Sequence, residues 1–280
     1  MTSIDPTKSI DVLVPTYNSA TYLDQALTAI KSSVPINRII AVDRYSSDGT
    51  LEILKNHGAE VYFESTSLGY ARQLLIEKAR TDVVMMLDSD VLILDAYWYP
   101  NALKLLCTRN SGEKPVGAVV VLPTIRPPLP LQKYTEFWWG LIPSLKRDFF
   151  LTNSTLFLRD SVLGIRIPKE LGAAEDVYIW LYLRSRGYCT KMMKVEGVHF
   201  FTHSEKKGYW MGANLRLLRN VVRHKVLPFI ARNLMLYPIL AAVAALFTRD
   251  LEVLTYNMNR WYAYLQGYLH PQRYRQIQRL

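Results

Sequence analysis

The sequence predicts an α/β protein, with strands and helices alternating around one sheet, followed by a helical region of different character. Three observations carry this. Four short apolar runs, at residues 10–14, 38–42, 61–64 and 83–87, are separated by segments of helical pattern, which is the rhythm of βαβ units in a nucleotide-binding type of sheet. The fourth run, VVMML, is apolar on both faces, as a central parallel strand covered by helices is, and it stops at Asp88. Residues 206–280 hold 12 Lys and Arg against 2 Asp and Glu, so the whole net charge of +10 lies there, while residues 1–205 balance at 22 of each.

The first strand, IDVLV, is closed by Pro15. Asn18 or Ser19 can cap the helix that follows, whose apolar face is Tyr22, Leu23, Ala26, Leu27 and Ile30. Residues 38–42 (RIIAV) form the second strand, closed by Asp43. The turn Ser46-Ser47-Asp48-Gly49-Thr50 leads into a helix over 51–56, and Gly58 ends it in the position usual for glycine. A third strand over 61–64, a helix over 68–79 and the strand over 83–87 complete the repeats. No Gly-x-Gly-x-x-Gly follows the first strand, so a dinucleotide fingerprint is missing.

Beyond that the pattern predicts a helix over 97–106, a strand over 117–122 and a loop over 123–130, which holds four prolines. Core packing is the first explanation for Phe137, Trp138 and Trp139, ahead of an acceptor-site wall or a membrane-interface anchor. A strand over 155–159 and a short helix from Ser161 precede a helix opened by Glu175 and Asp176. Its pattern runs through Val177, Trp180, Leu181 and Arg184, and Gly187 ends it. His199 and His203 close the last sheet-like stretch.

The tail reads differently. Over 208–225, Met211, Leu215, Leu218 and Val222 share one face and Arg216, Arg219 and Arg223 another, a basic amphipathic helix suited to a membrane surface. Residues 228–247 carry one charge, Arg232, and approach the roughly 20 apolar residues that a span needs. The stretch over 251–269 is rich in Trp and Tyr, as interfacial belts are. These features predict a membrane-associating helical region over 206–280 beside a catalytic domain over 1–205. The alternative is a soluble helical subdomain. The tail lacks the interleaving of exposed polar and aromatic residues of a nucleic-acid arm, so no nucleic-acid partner is expected. Two distant cysteines, Cys107 and Cys189, exclude a four-cysteine zinc site and a disulfide framework. No basic and then apolar leader opens the chain, so the expected setting is the cytoplasmic face of the cell membrane.

The end of the fourth strand is where chemistry is expected, because ligands of open α/β sheets collect outside the carboxyl ends of the strands. Asp88 and Asp90 can hold a hard divalent cation there, Mn²⁺ or Mg²⁺, together with phosphate oxygens of a substrate. Ser89 between them is small and lets the turn close.

Five stretches, VLVPTYNSATYLDQAL (12–27), VDRYSSDGT (42–50), LGYARQLLIEKA (68–79), MLDSDV (86–91) and AEDVYIWLYLRSRGY (174–188), occur in an order and at distances that resemble the family 2 glycosyltransferases of GT-A fold, the group of dolichol-phosphate mannose synthases and cellulose synthases. The resemblance implies a Rossmann-like, nucleotide-binding mixed sheet flanked by helices. It implies a metal-dependent, inverting transfer of a sugar from a nucleotide diphosphate sugar, with a UDP- or GDP-sugar as donor. The basic apolar tail then suggests a polyprenyl phosphate or lipid-linked glycan as acceptor.

Residue by residue, the resemblance puts Pro15, Tyr17 and Asp43 beside the nucleoside, Arg72 beside the nucleotide or its diphosphate, and Asp88 and Ser89 at the nucleotide. It puts the metal on Asp88, Asp90 and His203, with His199 as the competing third ligand. Asp176 becomes the general base, with Glu175 as the neighbouring candidate. Asp43 is followed by Arg44 where the family usually has a second acid, which leaves the base open. Asp48 and Gly49 read as a turn and cap. A sugar-phosphate nucleotidylyltransferase is the rival enzyme, although the glycine-rich phosphate loop it needs is missing. A non-catalytic nucleotide-binding peripheral membrane protein is the rival without chemistry.

Overall fold

The computed structural model describes residues 9–108, 112–124, 129–142, 150–200 and 205–272. It opens with the alternation that the apolar runs predict: β1 (Ile10–Thr16), α1 (Ala20–Ser33), β2 (Ile36–Asp43), α2 (Thr50–Asn56), β3 (Glu60–Phe63), α3 (Leu68–Lys78) and β4 (Val83–Leu87). Pro15 does not close the first strand. β1 runs on to Thr16, with Pro15 opposite Val42. A proline is tolerated there because pairing of β1 with β4 has already stopped at Leu13 and Met86.

The remaining strands are β5 (Val91–Ile93), β6 (Val116–Thr124), β7 (Ser154–Leu158) and β8 (Cys189–His199); α4 (Trp98–Cys107), α6 (Arg159–Val162) and α7 (Glu175–Ser185) lie between them in the chain. The sheet order is β3-β2-β1-β4-β7-β6-β8-β5. The first four strands are mutually parallel. β7 enters antiparallel between β4 and β6, which makes the sheet mixed. β5 has three residues and pairs antiparallel with β8, Val91 opposite His199. The proline-rich loop is shorter than its composition suggests, because β6 continues through Pro123 to Thr124 and a helix, α5 (Pro130–Leu141), starts on the last proline. Proline is suited to that first helical position.

Two compact units result. One comprises residues 1–125, 147–169 and 175–201, the other 126–146, 170–174 and 202–280. The core of the first lies on the sheet, with Val12, Val14, Leu27, Met85, Trp98, Val119 and Leu156 among its buried residues. At the amino end of β1, buried Asp11 accepts from Arg38 at 2.6 Å and from the Arg80 N–H at 2.8 Å, which ties β1, β2 and the end of α3 together.

The second unit is helical: α5, α8 (Glu205–Val222), a 3₁₀ turn (Arg223–Val226), α9 (Leu227–Ala231), a π-helical turn (Arg232–Leu236), α10 (Tyr237–Thr248) and α11 (Leu251–Leu269). α8 and α11 touch backbone to backbone. A Cβ added to Gly212 would overlap the Tyr264 carbonyl oxygen, and one added to Gly267 the Tyr209 carbonyl oxygen. Arg216 donates to the Tyr268 and Leu269 carbonyls at 3.1 Å, so part of the basic face of α8 caps the end of α11. The aromatic cluster packs here: Trp139 is buried, and Phe137 and Trp138 lie against Ala244, Ala245 and Val253. The helical run Leu227–Thr248, 22 residues, is long and apolar enough to cross a membrane, and little of it is buried.

Candidate active site

The chain moves outward from β1 through β2 to β3, then returns to place β4 on the other side of β1. That reversal makes the carboxyl ends of β1 and β4 the expected ligand crevice. Two loops interlock there. Asn18, in the left-handed region at φ 47°, donates its N–H to Ser46 Oγ at 2.8 Å and accepts from the Ser47 N–H at 3.0 Å. Asp48 accepts from the Ala20 N–H at 3.0 Å and from the Thr50 hydroxyl. Burial works against its charge, but these donors more than offset it and hold the carboxyl below its ordinary value. The turn-and-cap residue Asp48 therefore also fastens the start of α1.

The nucleoside-side residues are not equivalent. Pro15 is buried within β1, and Tyr17 is exposed with the Arg44 guanidinium 5.3 Å from its ring centre. Asp43 is fully buried. Its carboxylate accepts from the Thr16 hydroxyl at 2.7 Å, the Ser46 N–H at 2.7 Å and the Ser46 hydroxyl at 2.6 Å. Pro15 and Asp43 thus support these loops from inside, and Tyr17 is the exposed member of the set.

After β4 the chain turns sharply. The Asp88 N–H donates to the Asn153 carbonyl at 2.7 Å, the Val91 N–H to the Asp88 carbonyl at 3.2 Å, and the Phe200 N–H to the Asp90 carbonyl at 2.9 Å. Ser89 Oγ lies 2.9 Å from Ser19 Oγ, which joins this turn to the first loop. The β5–β8 register brings His199 beside Asp90, Nε2 to Oδ1 at 3.6 Å, and its Nδ1 lies 3.4 Å from Asn153 Nδ2. His203 lies outside the described residues. Two carboxylates and an adjacent imidazole make an oxygen-rich donor set that fits Mn²⁺ or Mg²⁺. Among the described residues no tight group of three such side chains forms.

Arg72 faces inward from α3. Its Nη2 donates to Asp88 at 2.7 Å and its Nη1 to Glu175 at 2.5 Å. Burial weakens the charge of a guanidinium, but the carboxylates of Asp88 and Glu175 outweigh that and hold it firmly protonated. Arg72 thereby clamps the Asp-Ser-Asp turn to the start of α7. Sequence spacing could not give this, because the partners lie 16 and 103 residues away.

The clamp separates the two adjacent acids. Glu175 is buried against Arg72, whereas Asp176 is part-buried and accepts from the Val177 N–H at 2.7 Å. Ala174 just before them sits at φ 60°. Burial, then the charge of Glu175, pushes the Asp176 carboxyl up to about 7, near the pH at which a general base works best.

Comparison with known proteins follows this geometry. The model of "Glycosyl transferase family 2" matches residues 11–166. An uncharacterized glycosyltransferase of Haemophilus influenzae is 33% identical over 92 residues, which cover 30% of this chain and 37% of that protein. The chain thus spans little more than a third of the curated relative it matches. Among solved structures, a mannosyltransferase from Pyrobaculum calidifontis in complex with GDP-Man and Mn²⁺ aligns at TM-score 0.59 and 20% identity over 91% of this chain and 75% of that one. Glucosyl-3-phosphoglycerate synthase from Mycobacterium tuberculosis, with Mg²⁺ and UDP, aligns at 0.55 and 16% over 76% and 79%. At these identities the likeness is one of fold, the GT-A type of mixed sheet.

Proposed function

The chain belongs to glycosyl transferase family 2, and on that premise we propose that it transfers a sugar, with inversion, from a nucleotide diphosphate sugar to a hydroxyl of a membrane-linked acceptor. One observation carries the reading. Of two adjacent acids, Glu175 is held by Arg72 and Asp176 is left with its carboxyl raised to about 7. Asp176 takes the proton of the acceptor hydroxyl as its oxygen attacks the anomeric carbon and the bond to the diphosphate breaks. Asp88 and Asp90 hold the divalent cation, with His199 or His203 as a further ligand. When bound, Mn²⁺ or Mg²⁺ neutralises charge on the leaving diphosphate. Arg72 positions Asp88 and Glu175, and the loops fastened by Asp43 and Asp48 form the nucleoside side, with Tyr17 against the base. The solved relatives named above were crystallised with GDP-Man and Mn²⁺ and with UDP and Mg²⁺, which supports a donor of either base.

A base is needed only by a nucleophile that carries a proton. A polyprenyl phosphate is already ionised at neutral pH, so Asp176 favours a lipid-linked glycan among the acceptors. The apolar run Leu227–Thr248 supports attachment to a membrane. The test is transfer from UDP- and GDP-sugars, with Mn²⁺, to lipid-linked glycan and to polyprenyl phosphate. The rate with the glycan should rise with pH through about 7, and Asp176→Asn should lower it about 10²–10⁴-fold with donor affinity kept. A full rate in Asp176→Asn refutes the assignment.

A further inference from the structure

In the helical unit, Asn257, Arg260, Trp261 and Tyr264 recur on one face of α11, and that face meets the break between α9 and α10. The Tyr237 hydroxyl donates to Asn257 at 2.6 Å, and the Trp261 indole N–H donates to the Leu234 carbonyl, inside the π-helical turn, at 2.9 Å. Arg260 lies among three tyrosines, 237, 256 and 264, and hydrogen-bonds Tyr256. Its Nη1 is buried and finds no acceptor among the described residues. Tyr134 of α5, its ring centre 5.1 Å from that of Tyr237, is within electrostatic reach of both Arg260 and Arg232. No carboxylate of the described residues pairs with either arginine; Asp250, an acid at the edge of the unit, is taken by Lys133 at 2.5 Å.

A guanidinium withdrawn from water is ordinarily matched by a carboxylate or phosphate, often bidentate. Tyrosine hydroxyls are neutral and leave that demand unmet. A π-helical turn inserted in a helix frequently marks a functional site, and this one carries Arg232 at its first position. Within it Met235 and Leu236 are exposed, and beyond it Ile239, Leu246 and Phe247. A free phosphate would satisfy the arginines and leave that apolar strip bare, whereas a phosphate esterified to acyl or prenyl chains matches both.

We propose that Arg260 and Arg232, with the hydroxyls of Tyr134 and Tyr256, form an anion site for the phosphate headgroup of a membrane lipid whose chains lie along Met235, Ile239 and Phe247. The site is distinct from the sugar-transfer centre, and its lipid source rests on the membrane attachment proposed above.

The test uses the full-length chain and vesicles of phosphatidylcholine, alone or with phosphatidic acid, read by flotation and by lipid retained after detergent extraction. Arg260→Gln should lower retained phosphatidic acid about tenfold, the loss of one charge-assisted pair, and leave flotation on phosphatidylcholine and nucleotide-sugar binding unchanged. Arg260→Lys, which keeps charge and stem, should lose less, and Arg232→Gln should lose retention in the same direction. Equal retention by wild type and both glutamine variants overturns the proposal. So does protection against thermal unfolding by inorganic phosphate as strong as that by phosphatidic acid, which would make the site one for free phosphate. If Arg260→Gln does not fold, Arg260→Lys and Arg232→Gln decide. Failure to float on any vesicle removes the membrane reading instead, and loss of donor binding in wild type removes the transferase reading, so the three failures are separable.

Discussion

The strand-end loops of the first unit and the helix pairs of the second are held by opposite means. At the strand ends, polar side chains join one loop to another: Asp43 with Thr16 and Ser46, Asp48 with Ala20 and Thr50, Arg72 with Asp88 and Glu175. In the helical unit, α8 and α11 approach until the Gly212 Cα lies under the Tyr264 carbonyl, and apolar surface remains uncovered. The first region leaves the Asp176 carboxyl outside the Arg72 clamp, and the second leaves Arg260 Nη1 buried without an acceptor among the described residues. Charge-assisted networks fix geometry to the accuracy that chemistry requires, while close helix packing fixes a surface that has only to meet something else.

The comparison is broken most severely by removing Arg72. Arg72→Gln leaves the Glu175 and Asp88 carboxylates without their cation, and stranding a buried charge costs about 3 kcal/mol or more. For a chain of this size that lowers Tm by roughly 6–12 °C. It should also cut transfer, since Asp88 loses its anchor. An unchanged melting curve would mean that the clamp does not hold the turn.

Gly212→Ala attacks the other mode. The added methyl meets the Tyr264 carbonyl oxygen, so α8 and α11 must part, at about 1–3 kcal/mol. Amide exchange should quicken in α8 and α11 and stay unchanged at Ser46, Asp88 and Val91. Equal quickening in both places would show that the two regions are not stabilised independently.

Asp43→Asn is smaller and sharper. The carboxamide offers one acceptor oxygen where the carboxylate accepts three hydrogen bonds, and turns an NH₂ towards donors. The expected cost is about 1–2 kcal/mol, read as weaker nucleotide binding in calorimetry, while the melting of the helical unit is unmoved. Full affinity would return Asp43 to the status of an ordinary buried turn residue.

The difference between the regions also explains what the sequence revealed. Strands β1 to β4 and helices α1 to α4 were legible because each carries its own periodicity, and Leu251–Leu269 was legible to its last residue. Asp88, Ser89 and Asp90 announced themselves at the end of an apolar run. What could not be read was long-range. β5 is three residues of a turn until β8 pairs with it, and only that pairing brings His199 to Asp90. Arg72 looks like a helix-face arginine until α7 delivers Glu175. α5 escapes the sequence because the prolines of 123–130 argue for a loop, and the last of them, Pro130, is where a helix accepts one. Arg260 is hidden in the sequence, since a single arginine in an aromatic helix reads as solvated; Tyr256 and Tyr264 flank it on α11, but Tyr237 comes from α10.

The last effect concerns Asp176, where the two criteria, stability and activity, pull apart. Its folded carboxyl is raised to about 7 from an ordinary 3.8, so the native state holds that proton more tightly than the unfolded chain does. The stability linked to it is fully present below about 3.8 and is lost as pH rises through about 7. Asparagine copies the protonated acid and has nothing to lose. Asp176→Asn and wild type should therefore melt together near pH 4, and the variant should gain steadily on wild type between pH 5 and 8. Over the same interval wild-type transfer should climb, because only the ionised carboxylate accepts the acceptor's proton. A site held ready for proton transfer is thus destabilising at the pH where it works, which Arg72 offsets by fixing its neighbour. A Tm difference that stays flat from pH 5 to 8 would place the raised carboxyl elsewhere. The same pH-dependent gain in Glu175→Gln, with none in Asp176→Asn, would assign the shared proton, and with it the base, to Glu175.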